Sequence, residues 1–482
     1  MPSRPAWNEA RSRGGRKGCV IAPEIVERTL AVALSRGGDF AEVFAEDRAS
    51  VSARLDDGRV EELATGRSRG AGIRVVRGET TGFAHTADLS ERGLAAAAEA
   101  AAAASTESGA PVQVAALPDA PRRPEGPGAA ILPETVTKDA KVALLQRADV
   151  AARERSGAIR QVSAAYADGR RRILVANSDG VFAEDDQVRT RLMVTAVAEG
   201  DTGLHTGTEA PGRTLGFEIF DEIDPEEVAR IAADRALTLL QARPAPSGRL
   251  PVVLKRGAGG VLFHEACGHG LEADLVRRDA SVFRGRVGEQ VASPLVTVVD
   301  DGTYGREWGT YAIDDEGTPA RRNVLIEDGV LTDYMWDLVR SRAAGRPSSG
   351  NGRRETYRDL PMVRMTNTYL LPGATAPEDI IADTEYGLYC VALGGGQVNT
   401  ATGDFVFGVT EAYLIEDGQI TEPVRAAQLI GNGSDALRLV DAVGDDFDTW
   451  AGTCGKEGQG VPVSSGQPTL RVAELTVGGT AS

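Results

Sequence analysis

The spacing of apolar positions changes several times along the chain, and each change marks an element. Residues 25–35 (IVERTLAVALS) place apolar side chains three and four apart and predict a helix. Residues 40–46 and 51–55 read as short strands. Asp56-Asp57-Gly58 supplies a turn toward a further strand at residues 60–63, because Asp-Gly tolerates the positive φ a tight hairpin needs. Residues 71–76 and 81–85 predict two more strands. An Ala-rich run over residues 91–104 predicts a helix, since Ala is the best helix former.

Residues 106–134 interrupt this pattern with Pro111, Pro118, Pro121, Pro124, Pro127 and Pro133, and read as a linker or a long surface loop. A helix is expected over residues 135–155, then strands at 159–166, 172–176 and 188–198. Val228, Ile231, Leu237 and Leu240 line one side of a helix over residues 225–241, and Pro244 and Pro246 mark a boundary after it. Beyond about residue 249 short runs of Val, Thr, Tyr and Ile between Gly and Asp turns predict a mainly β region. Within it LIEDG occurs twice, at residues 325–329 and 414–418, and predicts two Asp-Gly hairpins in similar settings. Duplication and chance both account for the echo. The whole reads as an α+β protein, with a mixed α/β N-terminal region and a β-rich C-terminal one.

Composition narrows the function classes. The 482 residues are 42% hydrophobic and 26% charged, a globular balance with chain enough for two or three domains. Lys plus Arg number 53 against 70 Asp plus Glu, a net charge of -17, which argues against a nucleic-acid partner. The Ala-rich run is too short and too weakly apolar to span a bilayer. The four cysteines, Cys19, Cys267, Cys390 and Cys454, do not make a disulfide framework, so a reducing cytoplasm is the expected location. Residues 1–19 carry five basic side chains but no apolar core of a signal peptide follows, and they read as a disordered basic leader.

The sharpest chemical signal is Gly259-Gly260-Val261-Leu262-Phe263-His264-Glu265-Ala266-Cys267-Gly268-His269-Gly270, which holds two of the four histidines. Two neutral imidazoles and a neighbouring carboxylate are the parts of a zinc hydrolase: the nitrogens hold the metal and the carboxylate takes a proton from water. The familiar His-Glu-x-x-His motif puts both rings on one helical face. Here the spacing is five, and at about 100° per residue the rings diverge by about 140° on a regular α-helix. Both reach one ion only if the helix bulges or ends between them, and Gly268 and Gly270 are where such a distortion meets least steric resistance. A third ligand is needed. Cys267, Glu272, Asp274 and the distant Cys454 all qualify, and spacing does not choose among them. Asp314-Asp315-Glu316 reads as a solvated turn and not a second metal site. His85 and His205 have no partner nearby in sequence and read as structural or surface residues.

Residues 263–274 resemble the signature of the TldD/PmbA family of metallopeptidases, on its TldD side. The likeness continues through YAIDDEGTP (311–319), PMVRMTNTY (361–369), GGGQV (394–398), GDFVFGVTEAYLIEDG (403–418) and CGKEGQGVPVSSGQPT (454–469), and covers about residues 20–482. It implies that His264, His269 and Cys454 ligate one Zn²⁺ and that Glu265 is the general base, with Cys267 a bystander. It implies a barrel-like C-terminal metallopeptidase domain over residues 246–482 behind an α/β region over residues 20–245. It implies an active subunit paired with an inactive paralogue as a heterodimer, or with itself as a homodimer, acting on unfolded or extended peptides with little sequence preference. The glycines Gly394, Gly395 and Gly396 could form an edge that pairs with such a peptide by strand addition, or a turn between strands. The alternative function is a zinc-containing peptide-binding or regulatory subunit without hydrolysis of its own.

Overall fold

The computed structural model describes residues 21–78, 80–105 and 113–479. The expected leader and Cys19 lie outside the described residues, as do residues 106–112. The first half is a seven-stranded antiparallel sheet with four helices. In chain order these are α1 (Pro23–Ala33), β1 (Phe40–Asp56), β2 (Arg59–Arg77), β3 (Thr80–Thr86), α2 (Glu91–Ala104), α3 (Lys138–Arg153), β4 (Ile159–Asn177), β5 (Phe182–Gly200), β6 (Gly203–Glu209) and α4 (Pro225–Gln241). The strand order is β3-β2-β1-β4-β5-β6, with the short strand Gly212–Arg213 beside β5.

All four helices cover one face. Val26, Leu30, Leu94 and Ala98 pack with Ala41, Val43, Ile73 and Val75 at one end. Leu144, Leu145, Ala229 and Ala233 pack with Ala53, Leu55, Val162 and Val194 at the other. The opposite face meets the second half of the chain, where Phe44, Ile173 and Val175 pack on Ile313 and Tyr357. Gly72 lies against the Tyr357 main chain, and a Cβ there would sit 2.5 Å from its carbonyl oxygen.

The strands are longer than the apolar runs. The strands expected at residues 40–46 and 51–55 are one, because the polar stretch between them is paired on both sides. Arg48 is opposite Ser68 of β2 and Arg171 of β4, and the ladder holds it extended whatever its hydropathy. The same fusion joins 60–63 with 71–76, and 159–166 with 172–176. From residue 113 on, the Pro-rich stretch is a surface loop laid along the sheet: the Arg122 amide donates to Phe182 O at 2.8 Å, its carbonyl accepts from the Glu184 amide at 2.9 Å, and Leu117 and Ile131 are buried.

In the second half, Gly248–Leu254, Leu470–Gly478, Gln428–Asn432, Asp404–Glu416 and Tyr386–Val398 pair in that order, and the last closes onto the first. This closed barrel surrounds Leu254, Leu388, Phe405, Phe407 and Leu429. A six-stranded sheet lies beside it, in the order Val330–Leu331, Arg322–Glu327, Val298–Asp301, Asn367–Leu370, Gln459–Gln467, Asp448–Lys456. Both LIEDG repeats are hairpins with positive φ at both turn residues, Asp328 and Gly329 in one and Asp417 and Gly418 in the other. They belong to different structures, the first to the six-stranded sheet and the second to the barrel. Among the described residues no helix is long and apolar enough to cross a membrane.

Asp314-Asp315-Glu316 is not the solvated turn expected. All three are buried where the two halves meet. Arg74 Nη2 donates to Glu316 Oε1 at 2.8 Å and to Glu42 Oε2 at 2.7 Å, and Arg171 Nη1 donates to Asp315 Oδ1 at 2.8 Å. Asp314 accepts from the amides of Glu316, Thr318 and Gly352. Cations from the N-terminal sheet thus neutralise acids of the C-terminal half, which is how charges are carried into a buried interface.

Candidate metal centre

The chain leaves the barrel along Gly248–Leu254 and enters a short helix, Gly260–Phe263. The next five residues, His264–Gly268, form a π-helical turn, and His269–Leu271 a 3₁₀ turn. The π turn absorbs the five-residue spacing: one residue is accommodated beyond the α-helical repeat, and the two imidazoles come together, ring centroids 5.1 Å apart and nearly perpendicular. The intervening glycines answer a packing demand. Both φ and ψ at Gly268 are helical, but a Cβ there would sit 2.2 Å from Met365 Sδ, and one at Gly270 would sit 2.8 Å from the Phe283 ring.

Cys454 reaches the same point from Asp448–Lys456, the edge strand of the six-stranded sheet. Its Sγ is 3.2 Å from His264 Nε2 and 3.4 Å from His269 Nε2. All three side chains are buried, with their donor atoms within 4.8 Å of one another. A tetrahedral ion bonded to sulfur at ~2.3 Å and to nitrogen at ~2.0–2.1 Å needs such donors about 3.5 Å apart, so the set fits zinc. Burial opposes ionisation of the Cys454 thiol, but the two imidazoles outweigh it and hold the thiol well below its usual range. The thiolate is the ligating form. Among the four candidates for a third ligand, only Cys454 converges on the histidines in this way.

The other three have different partners. Cys267 Sγ points back along its own helix to Phe263 O at 3.2 Å, and burial pushes its thiol up to about 12. Glu272 Oε2 accepts from His269 Nδ1 at 2.9 Å, which leaves Nε2 to face the cysteine. The same oxygen accepts from Lys456 Nζ at 3.0 Å. Burial would raise the Glu272 carboxyl, but His269 and Lys456 hold it down at about 2. Asp274 receives Lys456 Nζ on both oxygens at 2.8 Å. The two acids and the lysine therefore form a layer behind His269. Lys456 lies two residues after Cys454, on the same face of its strand. That spacing was the one signal in the sequence that could have tied the lysine to the site.

Glu265 lies on the open side. Its Oε2 is 4.0 Å from His269 Nε2, and the side chain keeps 20% exposure, which gives it both the candidate metal position and solvent. Gly394, Gly395 and Gly396 are not a turn. They belong to the barrel strand Tyr386–Val398, whose pairing with Asp404–Glu416 is bulged there. The strand packs against the π turn. His85 is exposed beside Tyr357, and His205 bonds Thr202, and neither joins the cluster of donor atoms.

Comparison with known proteins bears on this arrangement. Three family profiles match in succession: PmbA/TldA metallopeptidase domain 1 over residues 41–105, the central domain over 131–240 and the C-terminal domain over 247–479. The chain belongs to the TldD/PmbA family. A Metalloprotease TldD homolog of Haemophilus influenzae is 42% identical over 454 residues, 92% of this chain and 94% of that protein. A Zinc metalloprotease TldD homolog of Saccharolobus solfataricus is 32% identical over 300 residues, 62% of this chain and 66% of that protein. Among solved structures, a putative modulator of a DNA gyrase from Thermotoga maritima superposes with a TM-score of 0.77 at 22% identity, covering 94% of this chain and 99% of that one. TldE from Thermococcus kodakarensis superposes with 0.76 at 20% identity, covering 94% and 99%. The solved structures share the fold, and the TldD relatives carry the metalloprotease name.

Proposed function

We propose that this chain is the hydrolytic subunit of a TldD/TldE-like pair, a zinc-dependent metallopeptidase acting on unfolded or extended peptides. The observation that carries the reading is the convergence of His264 Nε2, His269 Nε2 and Cys454 Sγ beside the partly exposed carboxylate of Glu265. The first three residues would hold the ion. A zinc ion held there would supply Lewis-acid chemistry, lowering the pKa of a water toward about 7 and polarising a carbonyl. Glu265 accepts the proton of the attacking water and passes it to the leaving amine, and its residual exposure lets it reload. Glu272 keeps His269 in the tautomer that offers Nε2.

Extended peptides suit the edge beside the glycines. Tyr386–Val398 is paired along one side by Asp404–Glu416, while on its other side only Leu388, Tyr389 and Cys390 meet Gly248–Leu254. The rest of that edge, including Gly394, Gly395 and Gly396, offers main-chain groups for strand addition, which reads backbone more than side chain. The alternative, a regulatory subunit around a closed structural zinc, needs a fourth protein ligand. Glu272 and Asp274, the acids that could supply it, are already engaged by Lys456.

The test is Glu265→Gln, assayed with its paralogous partner on an unstructured peptide. Retained zinc with cleavage abolished is the expected result. Cleavage at the wild-type rate would refute the assignment of Glu265, and zinc-loaded wild-type protein inert on all unstructured peptides would favour the regulatory subunit.

A further inference from the structure

The cysteine and the histidines come from chain segments at least 185 residues apart, one a strand and the other a helical turn, and something must set one against the other. Three consecutive residues, Val363, Arg364 and Met365, reach the lysine behind His269, the cysteine hairpin and the π turn. Val363 O accepts from Lys456 Nζ at 3.1 Å, behind His269. Met365 Sδ fills the space left by the missing side chain of Gly268, inside the π turn. Arg364, whose exposure is 0%, spans the tip of the cysteine hairpin: Nη2 donates to Cys454 O and Nη1 to Gln459 O at 3.1 Å.

Arg364 is unusual in its electrostatics. Buried cations are normally matched by carboxylates. Arg74, Arg171 and Arg354 all are. Arg364 has no carboxylate within ion-pair distance among the described residues, and both its hydrogen bonds end on main-chain carbonyls of the hairpin that carries Cys454. Arg353 beside it is similar, donating to Met365 O and to Pro462 O. An apolar side chain would fill the same space without burying a charge. The directional bonds of a guanidinium fork are what it adds, and they fix the main chain at Cys454.

We propose that Arg364 is a positioning residue of the metal centre, holding the Cys454 main chain so that its sulfur meets the two imidazoles. The inference rests on the metal reading of the previous section. It makes the strap of residues 363–365 the part that registers the cysteine hairpin against the histidine turn.

The experiment is Co(II) substitution of the full chain. It reads the thiolate-to-cobalt charge-transfer band, and affinity by chelator competition, in wild type, Cys454→Ser, Arg364→Met and Arg364→Lys. Wild type should show the band and Cys454→Ser should lose it. Arg364→Met should fold but bind roughly 10–100-fold more weakly with a shifted or weakened band, the range usual for residues behind metal ligands. Arg364→Lys, which keeps one donor, should recover part of both. An Arg364→Met protein with wild-type affinity and an unaltered band overturns the proposal alone. A wild-type protein without the band overturns the metal reading and the proposal with it. Should Arg364→Met not fold, Arg364→Lys alone carries the test: weaker binding with a shifted band supports the proposal, and an unchanged affinity and band overturn it.

Discussion

Replacing Glu272 by Gln tests the layer behind His269 with little change of shape. In the native site one carboxylate oxygen, Oε2, takes both hydrogen bonds, from His269 Nδ1 and Lys456 Nζ. The other, Oε1, is buried without a partner. A Gln side chain can therefore place its carbonyl where Oε2 was and its amide in the vacant position. Lys456 keeps both oxygens of Asp274 and is not left as an unpaired buried charge. What is lost is the charge assistance of the bond to His269. Bonds to charged groups contribute about 1.5–3 kcal/mol and neutral ones about 0.5–1.5, so the deficit is about 1–1.5 kcal/mol. That converts to about a tenfold loss of zinc affinity. Glu272→Ala removes the bond altogether and should fall further, toward roughly 100-fold. Chelator competition on the purified full chain measures both. The reasoning fails if Glu272→Gln binds zinc as tightly as wild type, or if the Gln and Ala variants are equal.

The barrel glycines make a paired prediction. A Cβ at Gly396 would sit 2.0 Å from two carbons of the buried Phe407 ring, while one at Gly395 would meet nothing within 4 Å. Gly396→Ala should destabilise by about 1–3 kcal/mol in denaturant titration, the usual range for overpacking, and Gly395→Ala should be close to neutral. Arg74→Met strips the shared cation from Glu42 and Glu316 and should cost about 3–5 kcal/mol of unfolding free energy. Its deficit should also depend on pH. Burial already raises the Glu316 carboxyl to about 7 with Arg74 in place, against 4.5 in the unfolded chain. The folded state therefore holds the proton longer, and stability falls as pH rises through that window. Loss of Arg74 raises the carboxyl further, so the variant should be hurt more at pH 8 than at pH 5. An equal deficit at both would refute the account.

The chain announces its local structure better than its long-range pairing. The helices Glu91–Ala104 and Pro225–Gln241 are delimited by Ser90 and Asp224, side chains that cap the first turn, and those ends are readable from sequence. The need for a helical distortion between His264 and His269 was readable too, from rotation per residue alone. The long strands were not, because Arg48 and Arg171 are held extended by neighbours on both sides and carry no apolar alternation of their own. Nor was the burial of Asp315 and Glu316. Their counter-charges, Arg171 and Arg74, stand 144 and 242 residues away in the chain. Glu272 and Asp274 looked like ligand candidates because the lysine that engages them arrives with the cysteine strand, 182 residues or more downstream.

The π turn bears on how such centres are found and how they could change. A search for His-Glu-x-x-His passes over this chain, although its imidazoles lie as close as one ion demands. The two spacings differ by a single inserted residue. Yet deleting Ala266 or Cys267 would not simply restore the shorter motif. Every position beyond the cut would turn by about 100° and draw back by about 1.5 Å. Glu272 would swing away from His269, and Gly268 would no longer face Met365. The extra residue is therefore locked in register by contacts on both sides of it, and a lineage that carries it can lose it only by rebuilding the strap and the acid layer at the same time.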